Sequence, residues 1–380
     1  GEWWSTNPER ALANNSVAYT EKPDAGIFMK EWLSLYESKS GERGMFNRAS
    51  AQAKAGENGR RDASWDFGTN PCSEIILRPN QFCNLTEVVV RSTDSIASLT
   101  RKIQIATLLG TIQSTFTNFG YLRKRWQNNT EEERLLGVSL TGIMDSPLMN
   151  GKEGGLEKTL KTLRSVAVKA NKYWADKFGI NQSTAITCVK PSGTVSQLVD
   201  SASGIHARHN PYYIRTVRGD NKDPLTEFMI ASGIPNEPDV MKPEHTTVFS
   251  FPMKAPKGSV CRNDMTAIEQ LELWKTYAQH WCEHKPSVTI SVKEEEWVPV
   301  GAWCWENFSH LSGVSFLPFS DHTYQQAPYQ DIDKATYEKL VKKMPTSISW
   351  QKLQEYEKED STKGSQELAC TAGVCELVDI

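Results

Sequence analysis

The most informative stretch of the chain reads Asn70-Pro71-Cys72-Ser73-Glu74, and a second thiol, Cys83, follows eleven residues after the first. In this stretch an amide, a thiol and a carboxylate occupy alternate positions. Side chains at alternate positions of an extended segment project to the same side, so we expect Asn70, Cys72 and Glu74 to converge on one small ligand. Pro71 favours this arrangement, because a proline biases the residue before it towards an extended conformation. A buried structural thiol is the alternative for an isolated cysteine, but here four reactive groups surround one loop.

The stretch resembles the finger loop of ribonucleotide reductases. Its Asn-Pro-Cys version, rather than Asn-Leu-Cys, is similar to the adenosylcobalamin-dependent class of that family. The resemblance runs the length of the chain and points to the C-terminal half of the monomeric ribonucleoside-triphosphate reductases. The other matching pieces are residues 41–48, 137–142, 190–196 and 312–318, together with the terminal pair Cys370 and Cys375.

The resemblance implies a role for each reactive group of the loop. Cys72 would carry a thiyl radical, Glu74 would act as base for the 3′ hydroxyl of a ribose, and Asn70 would orient that hydroxyl. Cys83 would be one member of the pair of thiols that supplies the reducing electrons. The family places the second member in a strand upstream of the loop, whereas no cysteine precedes Cys72 in this chain.

The terminal pair Cys370 and Cys375 admits two interpretations. Dimeric relatives in the family carry a zinc ribbon at this end, but structural zinc normally takes four ligands, often from close cysteine pairs. No second pair lies nearby in the sequence. We therefore favour a redox pair on a flexible tail, re-reduced by thioredoxin or a similar dithiol, and we expect no metal site.

A second motif predicts an anion site. Residues 184–189 are rich in strand formers and end in the turn Pro191-Ser192-Gly193-Thr194, which Val195 and Ser196 continue as a helix start. Small residues let the backbone approach a ligand, and N–H groups at a helix start favour a phosphate. Such turns are common, so the signal alone is weak. The resemblance implies that these six residues bind the phosphates of the substrate.

Composition limits the class of protein. The 380 residues carry a net charge of −3 and a pI near 6.2, which gives no support to a nucleic-acid or membrane-surface partner. No apolar run approaches the roughly 20 residues of a membrane span. Eight cysteines scattered without a secreted framework suggest reduced thiols in a cytosol. The start at Gly1 suggests a fragment of a longer protein.

Helical and strand patterns alternate without repeats, which favours a mixed α/β fold. The resemblance implies the second half of a ten-stranded α/β barrel in residues 1–345, with the finger loop near 66–86, and a flexible redox tail in 346–380. Apolar spacing predicts helices over 99–119 and 156–178, the second ended by Gly179. Residues 41–68 read as a connecting loop, and 294–327 as an aromatic loop region.

The cofactor implied by the resemblance is adenosylcobalamin. A corrin needs an apolar face, and the aromatic residues of 294–327 are plausible packing for it. The Asp-x-His-x-x-Gly motif for histidine-on binding is absent. No cobalamin contact is therefore assigned to an individual residue.

Several other motifs have a structural interpretation that we prefer. His206 and His209 suggest a polar loop rather than a ligand site. The doublet Tyr212-Tyr213 indicates an ordinary strand rather than the radical relay of the iron-dependent class. The remaining thiols are expected to be buried structural cysteines: Cys188, Cys261, Cys282 and Cys304.

The predicted function is reduction of ribonucleotides, triphosphates by this resemblance, to 2′-deoxyribonucleotides for DNA synthesis. The predicted partners are the ribonucleotide, thioredoxin or a similar dithiol, and the missing N-terminal half, with no nucleic acid and no membrane. Two alternatives stay open. One is the large subunit of an iron-dependent ribonucleotide reductase, and the other is an inactive fragment that only binds nucleotides.

Overall fold

The computed structural model describes residues 16–39, 41, 44–319 and 324–357, and the backbone of 368–371 and 374–377. The chain divides into two compact units. The larger comprises Gly1–Arg208, Lys257–Phe319 and Thr371–Gly373, and the smaller comprises His209–Pro256, Ser320–Cys370 and Val374–Ile380.

The larger unit contains the finger loop and the phosphate turn. Its helices are α1 (Ala25–Ser38), α2 (Arg48–Gly56), α3 (Ile96–Gln113), α4 (Lys124–Glu133), α5 (Leu156–Phe178), α6 (Val195–Leu198), α8 (Ala267–His280) and α9 (Trp297–Glu306). Its strands are β1 (Ser16–Tyr19), β2 (Gly44–Asn47), β3 (Gly68–Thr69), β4 (Ile76–Leu77), β5 (Asn84–Val89), β6 (Leu136–Thr141), β10 (Val288–Val292) and β11 (Ser312–Pro318).

Most of these strands form one row. Strand β5 pairs in parallel with β6, from Asn84↔Leu136 to Val89↔Thr141. Parallel bridges then lead from β6 to Thr187 and from Val189 to Pro286, just before β10. Strand β11 pairs in parallel with β10 and antiparallel with β2, which in turn pairs in parallel with β1. The row, with helices between its strands, confirms the mixed α/β class, and the ten-stranded barrel stays a prediction.

Both predicted long helices are present, but only α5 has the predicted bounds. Helix α5 covers the predicted residues 156–178 and ends at Gly179, whose φ of 65° is the left-handed conformation that glycine adopts readily. Helix α3 ends earlier than its predicted limit of residue 119, at Gln113. Ser95 caps its start by accepting a hydrogen bond from the Ser98 N–H.

The interpretation of residues 41–68 as a connecting loop is wrong. This segment contains β2, all four residues of which are buried, and α2. Asn47 joins the two elements: its side-chain oxygen accepts from the Ser50 N–H, and its side-chain nitrogen donates to the Phe308 carbonyl. The segment 41–68 is polar and glycine-rich as a whole, but Met45 and Phe46 of β2 are buried, and the position of β2 between β1 and β11 makes it part of the core.

The aromatic region 294–327 is likewise not a loop. It contains α9 and β11, and the side chains of Trp297, Trp303, Phe308 and Phe316 are buried. Trp32 of α1 packs edge-on against Phe316, with ring centres 4.9 Å apart. These four side chains fill the core, whereas Trp305 is only partly buried and, with Trp297 and Val298, lines an apolar cavity between α1 and α9.

The smaller unit is built on an antiparallel sheet with the strand order β12-β7-β9-β8. Its strands are β7 (Tyr212–Asp220), β8 (Asn236–Pro238), β9 (Thr246–Lys254) and β12 (Tyr329–Asp331), and its helices are α7 (Pro224–Ala231) and α10 (Lys334–Val341). The Tyr212-Tyr213 doublet lies in β7, which confirms the strand interpretation.

The C-terminal residues are described only in part. Cys370 belongs to β13 (Leu368–Thr371) and Cys375 to β14 (Val374–Leu377), and the two strands pair with each other. The side chains of both cysteines lie outside the described residues, so the redox tail stays a prediction. In the described parts of the chain, none of the helices combines the length and the apolar character that a bilayer span requires.

Candidate active site

The finger loop is a tight turn, so the extended conformation expected for Asn70 to Glu74 is wrong. Strands β3 and β4 pair antiparallel on either side of it. The Asn70 carbonyl accepts a hydrogen bond from the Ser73 N–H at 2.9 Å, and Ser73 takes a φ of +65°. The Asn70 side-chain oxygen accepts from the Ile75 N–H at 3.0 Å. These two bonds close the turn: the backbone of Asn70 makes one and its side chain makes the other, as asparagine commonly does in turns.

Two of the predicted catalytic groups nevertheless meet at one amine. The Lys190 Nζ lies 3.3 Å from the Glu74 Oε1 and 4.0 Å from the Cys72 Sγ. Lys190 comes from the end of the predicted strand before the phosphate turn, 116 positions after Glu74. Sequence reasoning missed Lys190 as a site residue, although it is the first residue of the matching piece 190–196.

Glu74 is a buried carboxylate, and among the described residues only one of its two oxygens has a hydrogen-bond partner. Its side chain is fully buried, and its Oε2 has no hydrogen-bond partner among the described residues. Its carbonyl accepts from the Lys285 N–H at 3.0 Å, which holds the backbone in place. A buried acceptor without a partner is costly, so its presence indicates a place where a ligand donates a hydrogen bond.

The surroundings of Cys72 keep its sulfur protonated. Burial raises the pKa of the Cys72 thiol, the Glu74 carboxylate raises it further, and the Lys190 ammonium partly opposes them. Cys72 is only partly buried, so a reactant can reach it. A protonated, reachable thiol can give up a hydrogen atom.

Cys83 occupies space left by a glycine. A side-chain carbon on Gly137 of β6 would lie 3.2 Å from the Cys83 Sγ and 2.5 Å from a methyl carbon of Leu85. Burial raises the pKa of the Cys83 thiol, and the nearby Glu74 carboxylate adds to this effect. Both thiols of the loop are therefore held protonated beside the same carboxylate.

Behind the loop lies a group that we call the arginine anchor, formed by Arg61, Arg78, Gln81, Asn129 and Glu133. Arg61 donates to both carboxylate oxygens of Glu133, at 2.9 and 3.0 Å. It also donates to the carbonyl of Ile76, directly after the turn formed by residues 70–75. Gln81 donates to Glu133, and Arg78 donates to Asn129. All five side chains are buried, so the anchor ties the second half of the finger loop to α4.

Two further residues, His284 and Gly313, contact the backbone of the loop at Ile76 and Ser73. The ring of His284 accepts from the Ile76 N–H and donates to the Leu136 carbonyl, and burial, with Arg61 nearby, lowers the pKa of His284 to about 3. Gly313 of β11 takes a φ of +74°, and a side-chain carbon there would lie 2.9 Å from the Ser73 carbonyl oxygen. The piece 312–318 thus contacts the catalytic turn through its backbone.

The predicted phosphate turn follows Lys190. Ser192 has a φ of +56° and is buried, as is Ser196, whereas Gly193, Thr194 and Val195 are exposed. Beside the turn lies Glu87 of β5, a carboxyl that sequence reasoning missed. Burial raises the pKa of Glu87, against the opposing effects of the Ser192 hydroxyl and the Lys190 ammonium.

The cysteines expected to be structural and the histidines singled out in the sequence are buried, hydrogen-bonded or paired with a carboxylate within the fold. Cys188, Cys261, Cys282 and Cys304 are all buried, as expected for structural thiols. The His206 ring bonds to the Ser203 carbonyl and accepts from the Thr289 N–H, which confirms that it belongs to a polar loop. In the smaller unit, His209 pairs with Asp331. Across the described ranges, histidine, cysteine, aspartate and glutamate side chains form no group of three that could hold a metal ion.

Comparison with known proteins confirms the resemblance. An adenosylcobalamin-dependent ribonucleoside-triphosphate reductase of Euglena gracilis is 27% identical over 361 residues, covering 91% of this chain and 47% of that protein. Its counterpart in Levilactobacillus brevis is 29% identical over 315 residues, covering 74% of this chain and 41% of that protein. The chain thus spans about half the length of the curated relatives it matches. No family model matches the chain.

Solved structures show the same fold. A crystal structure of a B12-dependent (class II) ribonucleotide reductase superposes with a TM-score of 0.78 over 94% of this chain and 54% of that chain, at 24% identity. The class Id ribonucleotide reductase alpha subunit of Actinobacillus ureae gives a TM-score of 0.52 over 80% of this chain and 64% of that chain, at 14% identity. The α/β fold of this chain is therefore one that ribonucleotide reductases share.

Proposed function

We propose that the chain carries the reducing site of an adenosylcobalamin-dependent ribonucleoside-triphosphate reductase, which makes 2′-deoxyribonucleotides for DNA synthesis. The observation that supports this most is the meeting of Cys72 and Glu74 at Lys190: a protonated thiol beside a buried carboxylate that keeps one oxygen free. Relatives of that name align over most of the chain. Because they are about twice as long, we propose that the other half of the reductase is a necessary partner.

The reaction follows from these groups. Adenosylcobalamin, when bound, supplies a radical by homolysis of its cobalt–carbon bond. Cys72 gives up its thiol hydrogen atom and then takes the 3′ hydrogen of the ribose. The free Oε2 of Glu74 accepts the proton of the 3′ hydroxyl. With its oxygen engaged in the turn, Asn70 has its amide nitrogen available to orient that hydroxyl.

The 2′ hydroxyl then leaves as water, taking a proton from a thiol. Cys83 and a partner cysteine supplied by the other half give up two electrons and become a disulfide, and the proton of the second thiol goes to the 2′ carbon. Glu74 returns its proton to the 3′ oxygen. Cys72 returns its hydrogen atom to the 3′ carbon and is again a thiyl. The substrate is thereby reduced by two electrons and the pair of thiols is oxidised by two.

The site fits a radical-supplying cofactor in one respect: Cys72 is protonated and reachable. No corrin contact is assigned to the aromatic residues of 294–327: most of them lie in the core, and Trp305, with Trp297, lines an apolar cavity against α1. For the substrate, we propose that Pro191, Ser192, Gly193, Thr194, Val195 and Ser196 bind its phosphates. The exposed backbone at Gly193 and Thr194 supports this, since it can be approached from solvent.

Product formation tests the proposal. The chain joined to the other half of its reductase should convert ribonucleoside triphosphates in the presence of adenosylcobalamin and a dithiol, without a second metal-bearing subunit. The 380-residue chain alone should remain at background. Activity that requires an iron subunit would instead identify the iron-dependent class, and binding of nucleotide without any turnover would indicate an inactive fragment.

The tail is tested separately. We propose that Cys370 and Cys375 carry electrons from thioredoxin by thiol–disulfide exchange. Changing both to serine in the joined enzyme should preserve turnover with a small dithiol, which can diffuse to the site, and abolish turnover with thioredoxin. Full turnover with thioredoxin in the double variant would refute the shuttle.

A further inference from the structure

Lys190 is a charged group that the proposed mechanism does not use. Its ammonium lies between the Glu74 carboxylate and the Cys72 sulfur, and its side chain is about one third exposed. Its backbone is held in place, because the Lys190 N–H donates to the Ser139 hydroxyl of β6 at 2.8 Å. The lysine therefore reaches the catalytic turn from a fixed position at the end of a neighbouring strand.

The pairing divides the two oxygens of Glu74. The Oε1 accepts from Lys190, whereas the Oε2 has no partner among the described residues. A fully buried carboxylate without a cation would take up a proton rather than stay charged. Once protonated, it could no longer accept the proton of a substrate hydroxyl.

We propose that Lys190 is a positioning residue that keeps Glu74 ionised and directs its free oxygen towards the substrate. This inference rests on the proposed function for the identity of the substrate, but the electrostatic coupling of the two residues is a property of the chain alone. Since Lys190 directly precedes the phosphate turn, one segment would then hold the substrate phosphates and set the charge of the base.

Other titratable groups share this environment. Cys72, Cys83, Glu87 and Cys188 all interact electrostatically with Lys190 and with Glu74. Burial lowers the pKa of Lys190, but Glu74 and Cys72 outweigh it, so the pKa is raised. Lys190 is thus a cation beside two carboxyl groups and three thiols, and Arg61 of the arginine anchor also acts on the Cys83 thiol.

The coupling can be measured on the 380-residue chain. In Lys190→Met, Glu74 should bind a proton in the folded state that the unfolded state releases, so the variant should lose stability between pH 5 and pH 8. We expect its unfolding equilibrium constant in urea, relative to the parent chain, to rise about tenfold from pH 5 to pH 8, which corresponds to one extra proton held by the folded state over about one pH unit. Adding Glu74→Gln should abolish this pH dependence.

Lys172→Met is the matched control. Lys172 pairs with Asp176 at the same 3.3 Å, but both side chains are largely exposed, so no pH dependence is expected. A loss of stability in Lys190→Met that is equal at both pH values and unaffected by Glu74→Gln would mean that Lys190 only packs, and would overturn the inference.

Kinetics of the joined enzyme separate two roles. Lys190→Met should lower kcat about tenfold at pH 5, relative to the parent enzyme, and recover most of the loss by pH 8, while KM for the nucleotide stays within about twofold; Lys190→Arg should restore part of the loss at pH 5. A raised KM with unchanged kcat would make Lys190 a phosphate ligand and overturn the inference. If the parent enzyme reduced no ribonucleotide while the stability coupling held, the proposed function would fail and the charge coupling would stand.

Discussion

Two buried carboxylates differ in how they are hydrogen-bonded: Glu74 belongs to the finger loop itself, and Glu133 belongs to α4, which the arginine anchor ties to the loop. Glu133, in the arginine anchor, has both oxygens bonded by Arg61 and one of them also by Gln81. Glu74, at the front of the loop, has one oxygen paired with Lys190 and the other without a partner in the described structure. Glu133 is thus hydrogen-bonded at both oxygens within the fold, whereas the second oxygen of Glu74 is available to the ligand that we propose.

The cations that pair with these two carboxylates, Arg61 and Lys190, also differ in burial and in the number of bonds they make. Arg61 is completely buried and makes a two-pronged contact, whereas Lys190 is partly exposed and makes a single one. Arginine suits the first position because its planar guanidinium matches a carboxylate with two parallel bonds. A single ammonium suits the second, because it leaves one carboxylate oxygen accessible.

The largest effect is expected at the front of the loop. Cys72→Ser should reduce turnover of the joined enzyme to background, because a hydroxyl does not readily give up its hydrogen atom. Cys83→Ser should instead allow the 3′ hydrogen to be removed and then stall before reduction. Assays of deoxynucleotide and of substrate-derived radical products would distinguish these outcomes. Identical losses without radical products from Cys83→Ser would show that the division of roles is wrong.

At the anchor we expect a change in stability rather than in chemistry. Glu133→Ala leaves Arg61 buried without its anion, which should lower the free energy of unfolding by about 3–5 kcal/mol. The neighbouring Glu132→Ala is the control, because the Glu132 side chain is 62% exposed and contributes little. Urea unfolding followed by tryptophan fluorescence measures both. Equal losses of unfolding free energy in the two variants would show that the buried Glu133 stabilises the fold no more than the exposed Glu132 does.

The third effect, at Lys285, depends on pH; the backbone N–H of this residue donates to the Glu74 carbonyl. Its ammonium has no hydrogen-bond partner among the described residues, and burial, with Lys54 nearby, lowers the pKa of Lys285 to about 7. Between pH 7 and the ordinary lysine pKa of about 10.4, the unfolded chain holds a proton that the folded chain lacks. Folding stability should therefore rise with pH in this window, by at most about 1.4 kcal/mol per pH unit.

Lys285→Met tests this contribution. The difference in unfolding free energy between the parent chain and the variant should change from pH 7 to pH 10, because the variant lacks the titrating group. A difference that stays constant over this range would show that Lys285 is protonated in the folded chain. Its environment would then resemble that of the paired Lys190 rather than contrast with it.

The sequence alone pointed to the groups that we propose carry the chemistry. Asn70, Cys72, Glu74 and Cys83 are recognisable because their types and spacing lie within one short segment. Helix α5 was predictable for the same reason, since its apolar period and its terminal Gly179 are local signals. The buried state of Cys188, Cys261, Cys282 and Cys304 was expected because the resemblance gives these thiols no role.

Tertiary structure decided how these groups are used. The hydrogen bonds of Asn70 turned a predicted extended segment into a tight turn, and packing between β1 and β11 made a core strand of β2. Lys190 lies 116 positions from Glu74, and Arg61 lies 72 positions from Glu133. Such contacts have no local signature, because they depend on which strands and helices become neighbours in the folded chain. A carboxylate is therefore readable in the sequence, but whether its second oxygen is bonded or free is decided only by the fold.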